Sequence, residues 1–245
     1  MKQFGLIGNP LIHSFSKKFF SDKFLNENID AQYNLYEIPS IDNFQEILKN
    51  NSICGINVTI PYKEQVIKYM NELDNTAAEI GAVNVIKFIR NNGKLTLRGY
   101  NSDAIGFENA LQPFLQPYHK KALILGTGGA SKAINYTLNK LGIETTFVTR
   151  NEKPGMLSYQ QLNEKILSNN LLIINASPVG TFPHSDECPN IPYNFLTDKH
   201  FLFDVVYNPA ETIFLKKGTE KGAKGLNGEA MLIGQALAAW KIWNE

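Results

Sequence analysis

The sequence predicts an α/β fold built on a mostly parallel sheet. Two observations carry this. Short β-branched or aromatic runs alternate with mixed segments of helical length, and one such run passes straight into a glycine turn and a helical repeat. The composition fits a packed chain: 245 residues, 43% hydrophobic and 19% charged, bury a core and exclude disorder or coiled coil as the main state. The formal net charge of +1 gives no overall field to gather nucleic acid or an anionic membrane.

In chain order the predicted strands are FGLI, NLYEI, ICGINVT, ALIL, IETTFVT, LLIINA and FLFDVV. The first lies in MKQFGLIGNP, whose apolar stretch stops at Asn9-Pro10, too short for a secretory segment or a membrane span. Between KFI and LTL, Asn91-Asn92-Gly93 reads as a hairpin turn and is the nearest thing to a linker. After ALIL, the residues Ala130, Ala133, Ile134, Thr137, Leu138 and Leu141 recur at helical spacing, and Gly142 stops the helix. The final segment EAMLIGQALAAWKIWNE predicts a helix that packs Met231, Leu232, Leu237 and Trp240 onto a partner that pattern alone does not name. Cys54 and Cys188 are far apart and in no C-x-x-C pattern, which excludes a disulfide framework and suits a reducing cytoplasm. His119, His184 and His200 lack metal-ligand spacing, so no metal site is expected.

The strand ALIL runs into Gly126-Thr127-Gly128-Gly129 and then the helix, which places unpaired N–H groups and a positive helix end where a pyrophosphate can sit. Gly126, Gly128, Gly129 and Ala130 are the candidate cradle, with Ser131 at the third fingerprint position. An ordinary tight turn is the alternative. The second strand of this unit ends at Thr149-Arg150, where a dinucleotide binder specific for a free ribose hydroxyl would carry Asp or Glu. A guanidinium there meets a 2′-phosphate with its planar fork, which favours NADP over NAD. Lys153 adds a second positive contact, whereas a solvated Arg150 with Glu152 taking the hydroxyl is the competing reading.

Eight segments in register, GNPLIHSFS, NVTIPYKE, GAVNVI, GYNSDAIGF, GTGGASKA, NASPVGT, DVVYNP and LNGEAMLIGQ, resemble the shikimate dehydrogenase family from Gly8 to Gln235. The resemblance implies two α/β domains with a cleft between them. Residues 1–101 plus 228–245 would form the substrate domain and 102–227 a Rossmann-like NADP-binding domain, the C-terminal helix packing back on the first. It implies reversible NADPH-dependent reduction of 3-dehydroshikimate to shikimate, on the route to chorismate and aromatic amino acids, by a monomer or homodimer.

The same resemblance assigns residues. Ser14 and Ser16 hold the substrate carboxylate, and Tyr207 adds a phenolic donor; in extended backbone both serine hydroxyls would point one way, although Ser16 also suits a helix cap. Lys63 and Asp103 match the family's catalytic pair, Lys63 donating the proton that a developing alkoxide needs and Asp103 orienting it and accepting a substrate hydroxyl. Read alone, Lys63 is a solvated first-turn residue and Asp103 an N-cap. Asn57, Thr59, Asn84 and Gln235 match contacts to a polyhydroxylated ring, with local turn bonding or a plain helix face as alternatives. Ser177 and Gly228 match positions beside the cofactor. Without the family, His13 is the natural acid–base choice. The chain departs from the family at Lys17-Lys18, where Pro is usual, and at Thr149-Arg150-Asn151, where Asn-Arg-Thr is common. An NAD-dependent quinate/shikimate dehydrogenase and a non-catalytic dinucleotide-responsive binding protein are the competing readings.

Overall fold

The computed structural model describes residues 1–11, 14–151 and 153–245, so His13 and Glu152 lie outside the described residues. The chain divides into two compact units, one of residues 1–102 and 235–245, the other of residues 103–234.

The first unit runs β1 (Lys2–Gly8), α1 (Phe15–Asn26), β2 (Ala31–Glu37), α2 (Phe44–Leu48), β3 (Ile53–Val58), β4 (Glu72–Leu73), α3 (Asn75–Ile80), β5 (Val85–Asn91) and β6 (Lys94–Tyr100). Its sheet has the order β2-β1-β3-β5-β6-β4. β1 pairs parallel with β2 and β3, whereas β3–β5 and β5–β6 are antiparallel. Asn91-Asn92-Gly93 is therefore the turn of a hairpin within this sheet and not a linker; Asn92 and Gly93 both have positive φ, as a two-residue hairpin loop requires. Side chains alternate between two cores: Phe4 and Leu6 face one cluster with Tyr33, Val85 and Trp243, while Ile7, Ile56, Val58 and Ile86 face the other. Asp74 caps α3 through Ala77 N at 2.9 Å, and Gly81 ends it in the left-handed conformation.

The second unit holds most of α4 (Ser102–Leu111), then β7 (Lys121–Leu125), α5 (Gly129–Lys140), β8 (Glu144–Thr149), β9 (Leu157–Ser158), α6 (Glu164–Asn169), β10 (Leu172–Asn175), β11 (Phe201–Asp204), α7 (Ile213–Thr219) and β12 (Lys224–Leu226). Its sheet is parallel throughout, in the order β12-β11-β10-β7-β8-β9. Both faces are buried: Ala122, Ile124, Leu172 and Ile174 pack under α4 and α5, and Leu123, Leu125, Ile173 and Leu202 pack under α6 and α7. The parallel sheet is what the apolar runs predict, and its double cover is the Rossmann-like arrangement that the resemblance implies.

The last helix, α8 (Glu229–Asn244), begins in the second unit and ends in the first. Within the first unit, Ala236, Ala239, Ile242 and Trp243 are its buried stripe, and Trp243 lies 4.8 Å from the Phe4 ring and donates Nε1–H to Ile86 O at 3.1 Å. Leu237, expected to pack, is 48% exposed. The helix approaches its sheet through small alanines, which turns the neighbouring Leu237 off the contact.

Candidate active site

The glycine turn lies at the switch point of the parallel sheet. β7 leads to β8 on one side, and β10 returns on the other, so the loops after β7 and β10 face each other at the strand carboxyl ends. Gly126 has φ +104°, and a Cβ there would stand 3.2 Å from Ser177 Cβ, so these two predicted cofactor residues are brought together. Gly128 is the N-cap of α5, and beyond its immediate chain neighbours nothing lies within 4 Å of where a Cβ would stand, which leaves its backbone open to a close-approaching phosphate. Ser131 is turned inward: its Oγ donates to Gly128 O at 2.6 Å and closes the turn from within. Gly129 and Ala130 form the first turn of the helix, so the residues present fit a pyrophosphate. Thr149 ends β8, and Arg150 is exposed just beyond it. Burial raises the Tyr159 phenol, and the Arg150 charge partly offsets the rise.

Beyond β10, Asn175 organises the loop that carries Ser177. Its Oδ1 accepts from Ser177 Oγ at 2.6 Å and from Ser177 N at 3.1 Å, and its Nδ2 donates to Val179 O at 3.2 Å. The same Nδ2 donates to Asp204 Oδ1 at 2.9 Å; that carboxylate also accepts from Val206 N at 3.0 Å and Thr212 Oγ1 at 2.7 Å. Burial pushes the Asp204 carboxyl up to about 6, against the three hydrogen bonds. Gly228 follows: its N–H reaches Val206 O at 3.1 Å, and a Cβ would stand 2.2 Å from Val205 O, so no larger residue fits. Tyr207, just past this strand, is 39% exposed. Asn175 and Asp204 do not appear among the sequence-predicted residues, although N-A-S and D-V-V stand at strand ends where such anchors belong.

In the first unit the Ala82-Val83-Asn84 segment is a hub. Val83 N donates to Lys63 O at 2.8 Å, Asn101 Nδ2 to Ala82 O at 2.9 Å, and Asn84 O receives Val58 N at 2.8 Å and Asn57 Nδ2 at 3.4 Å. The Asn84 side chain accepts Ser102 N at 2.7 Å and donates to Ser102 Oγ at 3.0 Å. One short segment thus fixes the Lys63 backbone, the Asn57 amide and the start of the helix that carries Asp103. Lys63 sits in a turn after β3, next to the buried Tyr62, whose hydroxyl donates to Ile38 O at 2.6 Å. Thr59 N donates to Ile7 O at 2.9 Å, placing Thr59 at the end of β1 and β3. Gln235 begins the first-unit part of α8.

Two local expectations are corrected. Ser14 and Ser16 are not a pair on extended backbone: Ser14 is extended and caps α1, its Oγ accepting Lys17 N at 3.2 Å, whereas Ser16 lies inside the first turn. The helix begins two residues earlier than a Ser16 cap allows, so both hydroxyls belong to a helix N-terminus. Asp103 is likewise a first-turn residue of α4 and not its N-cap. Lys17, where the family usually has Pro, donates its ammonium to Tyr33 O and ties α1 to β2. His119 and His200 are buried, and each accepts a local backbone N–H, from Gln116 at 3.1 Å and Thr197 at 3.0 Å; burial lowers both below the usual imidazole range. Among the described residues no group of three His, Cys, Asp or Glu side chains is placed to hold a metal ion, and no helix is long and apolar enough to cross a membrane.

A parallel, doubly covered sheet with a glycine turn at its switch point defines an α/β protein of the Rossmann-like, dinucleotide-binding class. Residues 6–86 match the shikimate dehydrogenase substrate binding domain. Over 98% of this chain, and 88% of the relative, the sequence is 35% identical to the shikimate dehydrogenase (NADP(+)) of Desulforamulus reducens. The crystal structure of shikimate dehydrogenase from Aquifex aeolicus superposes with a TM-score of 0.86 at 34% identity, covering 100% of this chain and 92% of that one. The Thermus thermophilus enzyme, solved with NADP(H) and shikimate, gives 0.85 at 27% identity over 99% and 93%. The chain belongs to the shikimate dehydrogenase family.

Proposed function

We propose that this chain catalyses the reversible NADPH-dependent reduction of 3-dehydroshikimate to shikimate, on the route to chorismate and aromatic amino acids. The observation that carries the reading is the hub at Ala82–Asn84, which bonds the Lys63 carbonyl, the Asn57 amide and Ser102, the residue before Asp103. The relatives named for NADP, and the structure holding NADP(H) with shikimate, support the same assignment.

NADPH, when bound, supplies the hydride that turns the ketone into an alcohol. Gly126, Gly128, Gly129 and Ala130 hold its pyrophosphate through backbone N–H groups, with Ser177 and Gly228 beside it. Thr149 and Arg150 take the adenosine side, the guanidinium meeting the 2′-phosphate. Lys153 lines a hollow of about 350 Å³ with Pro154, Met156 and Gln161 just past Arg150 and adds positive charge there.

The substrate carboxylate docks at the start of α1. The Ser14 oxygen accepts from Lys17 N through a lone pair, which leaves its own O–H to donate outward. Ser16 and Tyr207 add hydroxyl donors, and the helix N-terminus favours the anion. Asn57, Thr59, Asn84 and Gln235 match the ring hydroxyls. Lys63 donates a proton to the carbonyl oxygen as hydride arrives and takes it back in the reverse direction, while Asp103 accepts a substrate hydroxyl. The protein works in the cytoplasm as a monomer or homodimer, which light scattering on the purified chain distinguishes.

Initial rates with shikimate and quinate, each with NADP and NAD, test the reading through reduced-cofactor absorbance. Shikimate with NADP is expected to give the highest kcat/KM. A preference for quinate with NAD would establish the other dehydrogenase, and no turnover with any pair would leave a binding protein.

A further inference from the structure

Tyr33 on β2 is 1% exposed, yet its hydroxyl is engaged in the first unit's polar site. It donates to Asn57 Oδ1 at 2.8 Å, while Asn57 Nδ2 donates to Asn84 O at 3.4 Å. The direction of each bond follows from chemistry. A backbone carbonyl only accepts, so the amide's NH2 must face Asn84; its oxygen then faces Tyr33, and the phenol must be the donor. The Ser16 side chain partly offsets the rise that burial gives this phenol.

The tyrosine itself has little freedom. Its ring stacks on Phe20 at 4.8 Å and 11°, lies 6.5 Å from Trp243, and its carbonyl accepts the Lys17 ammonium. Burial holds the phenol well above its usual range, so it stays a neutral donor. Among the described residues the second N–H of Asn57 takes no partner, and the bonds above fix where that N–H points.

Resting on the proposed role of Asn57, we propose that Tyr33 is a positioning residue for substrate binding. Its hydroxyl locks the Asn57 amide so that one N–H is presented to a substrate hydroxyl. The bonds run from Tyr33 through Asn57 to Asn84, and the effect needs only these.

The test is Tyr33→Phe, which keeps the ring stack and removes only the hydroxyl, measured with Asn57→Ala and the double variant. Tyr33→Phe should raise KM for shikimate about tenfold, the loss of about one hydrogen bond, with kcat changed less than about threefold and KM for NADP unmoved. In the Asn57→Ala background the same change should add little, because Tyr33 acts through Asn57. An unchanged shikimate KM, or a full additional loss in the double variant, would overturn the proposal. So would a parallel fall in kcat and both affinities, which marks a merely structural residue. A second arm needs no substrate: in the ligand-free protein the Asn57 side-chain amide protons should exchange faster with water in Tyr33→Phe, and equal exchange would overturn the positioning role. Wild-type protein that binds no shikimate would defeat the proposed function instead, and the exchange arm would still judge Tyr33.

Discussion

Asp204 is a buried carboxylate whose charge is satisfied by three neutral hydrogen-bond donors, Asn175 Nδ2, Val206 N and Thr212 Oγ1, at 2.9, 3.0 and 2.7 Å. Burial moves it from the ordinary 3.8 to about 6. At about 1.4 kcal/mol per pH unit, that gap corresponds to about 3 kcal/mol. Between about pH 4 and 6 the folded protein keeps a proton that the unfolded chain releases, so stability falls as pH rises through this window and levels above it. Asp204→Asn removes the titration. The amide oxygen still accepts from Asn175 and Val206, and its NH2 meets Thr212 Oγ1 with that hydroxyl turned to accept. Native-state hydrogen exchange of the β10 and β11 amides, corrected for intrinsic rate, reads the second unit without assuming one transition for the whole chain. The stability of wild type relative to Asp204→Asn should increase by about 2.4 kcal/mol from pH 7 to pH 4, most of the full gap. A difference that stays flat with pH, or shrinks towards acid, would falsify the argument that desolvation dominates this carboxylate.

Other outcomes follow from the same geometry. Lys63→Ala should lower kcat about 10²- to 10⁴-fold with a much smaller change in KM for shikimate, checked by steady-state rates; an unchanged kcat removes Lys63 from the chemistry. If Arg150 meets the 2′-phosphate as proposed, Arg150→Gln should raise KM for NADP at least about tenfold and leave NAD kinetics nearly unaltered; equal losses with both cofactors would place Arg150 elsewhere. At Gly55 a Cβ would stand 2.2 Å from Trp243 Nε1, so Gly55→Ala must displace the indole that bonds Ile86 O. It should cost about 1–3 kcal/mol, lower Tm by several degrees and shift tryptophan emission to the red, and a variant with unaltered melting and emission would contradict the packing described.

The parts legible in the sequence were those that local chemistry decides. ALIL, the glycine turn and the helix after it are readable because a parallel strand, a positive-φ Gly126 and a 3.6-residue repeat each leave a mark within a few residues. The Asn92-Gly93 turn was legible for the same reason, although its place inside a six-stranded sheet was not. The candidate site was legible as a set of residue types, since Lys63, Asp103 and the asparagines stand in recognisable segments. Which serine caps α1 was not legible, because S-F-S permits either start and only packing selects Ser14.

What the sequence alone could not determine is what each polar group faces. Tyr33 reads as one more strand aromatic, yet its hydroxyl meets Asn57, 24 residues away on a strand beyond β1. Asp204 reads as the end of an apolar run, yet it ties together the turns at Asn175 and Val206 and the cap at Thr212. Leu237 fits the helical stripe by spacing and is left outside because Ala236 and Ala239 bring the helix close on the neighbouring face. Periodicity and turn chemistry are properties of neighbouring residues, so the elements are settled by sequence; the direction of a hydrogen bond and the burial of a charge depend on strands brought together from distant positions, so only the folded chain fixes the site.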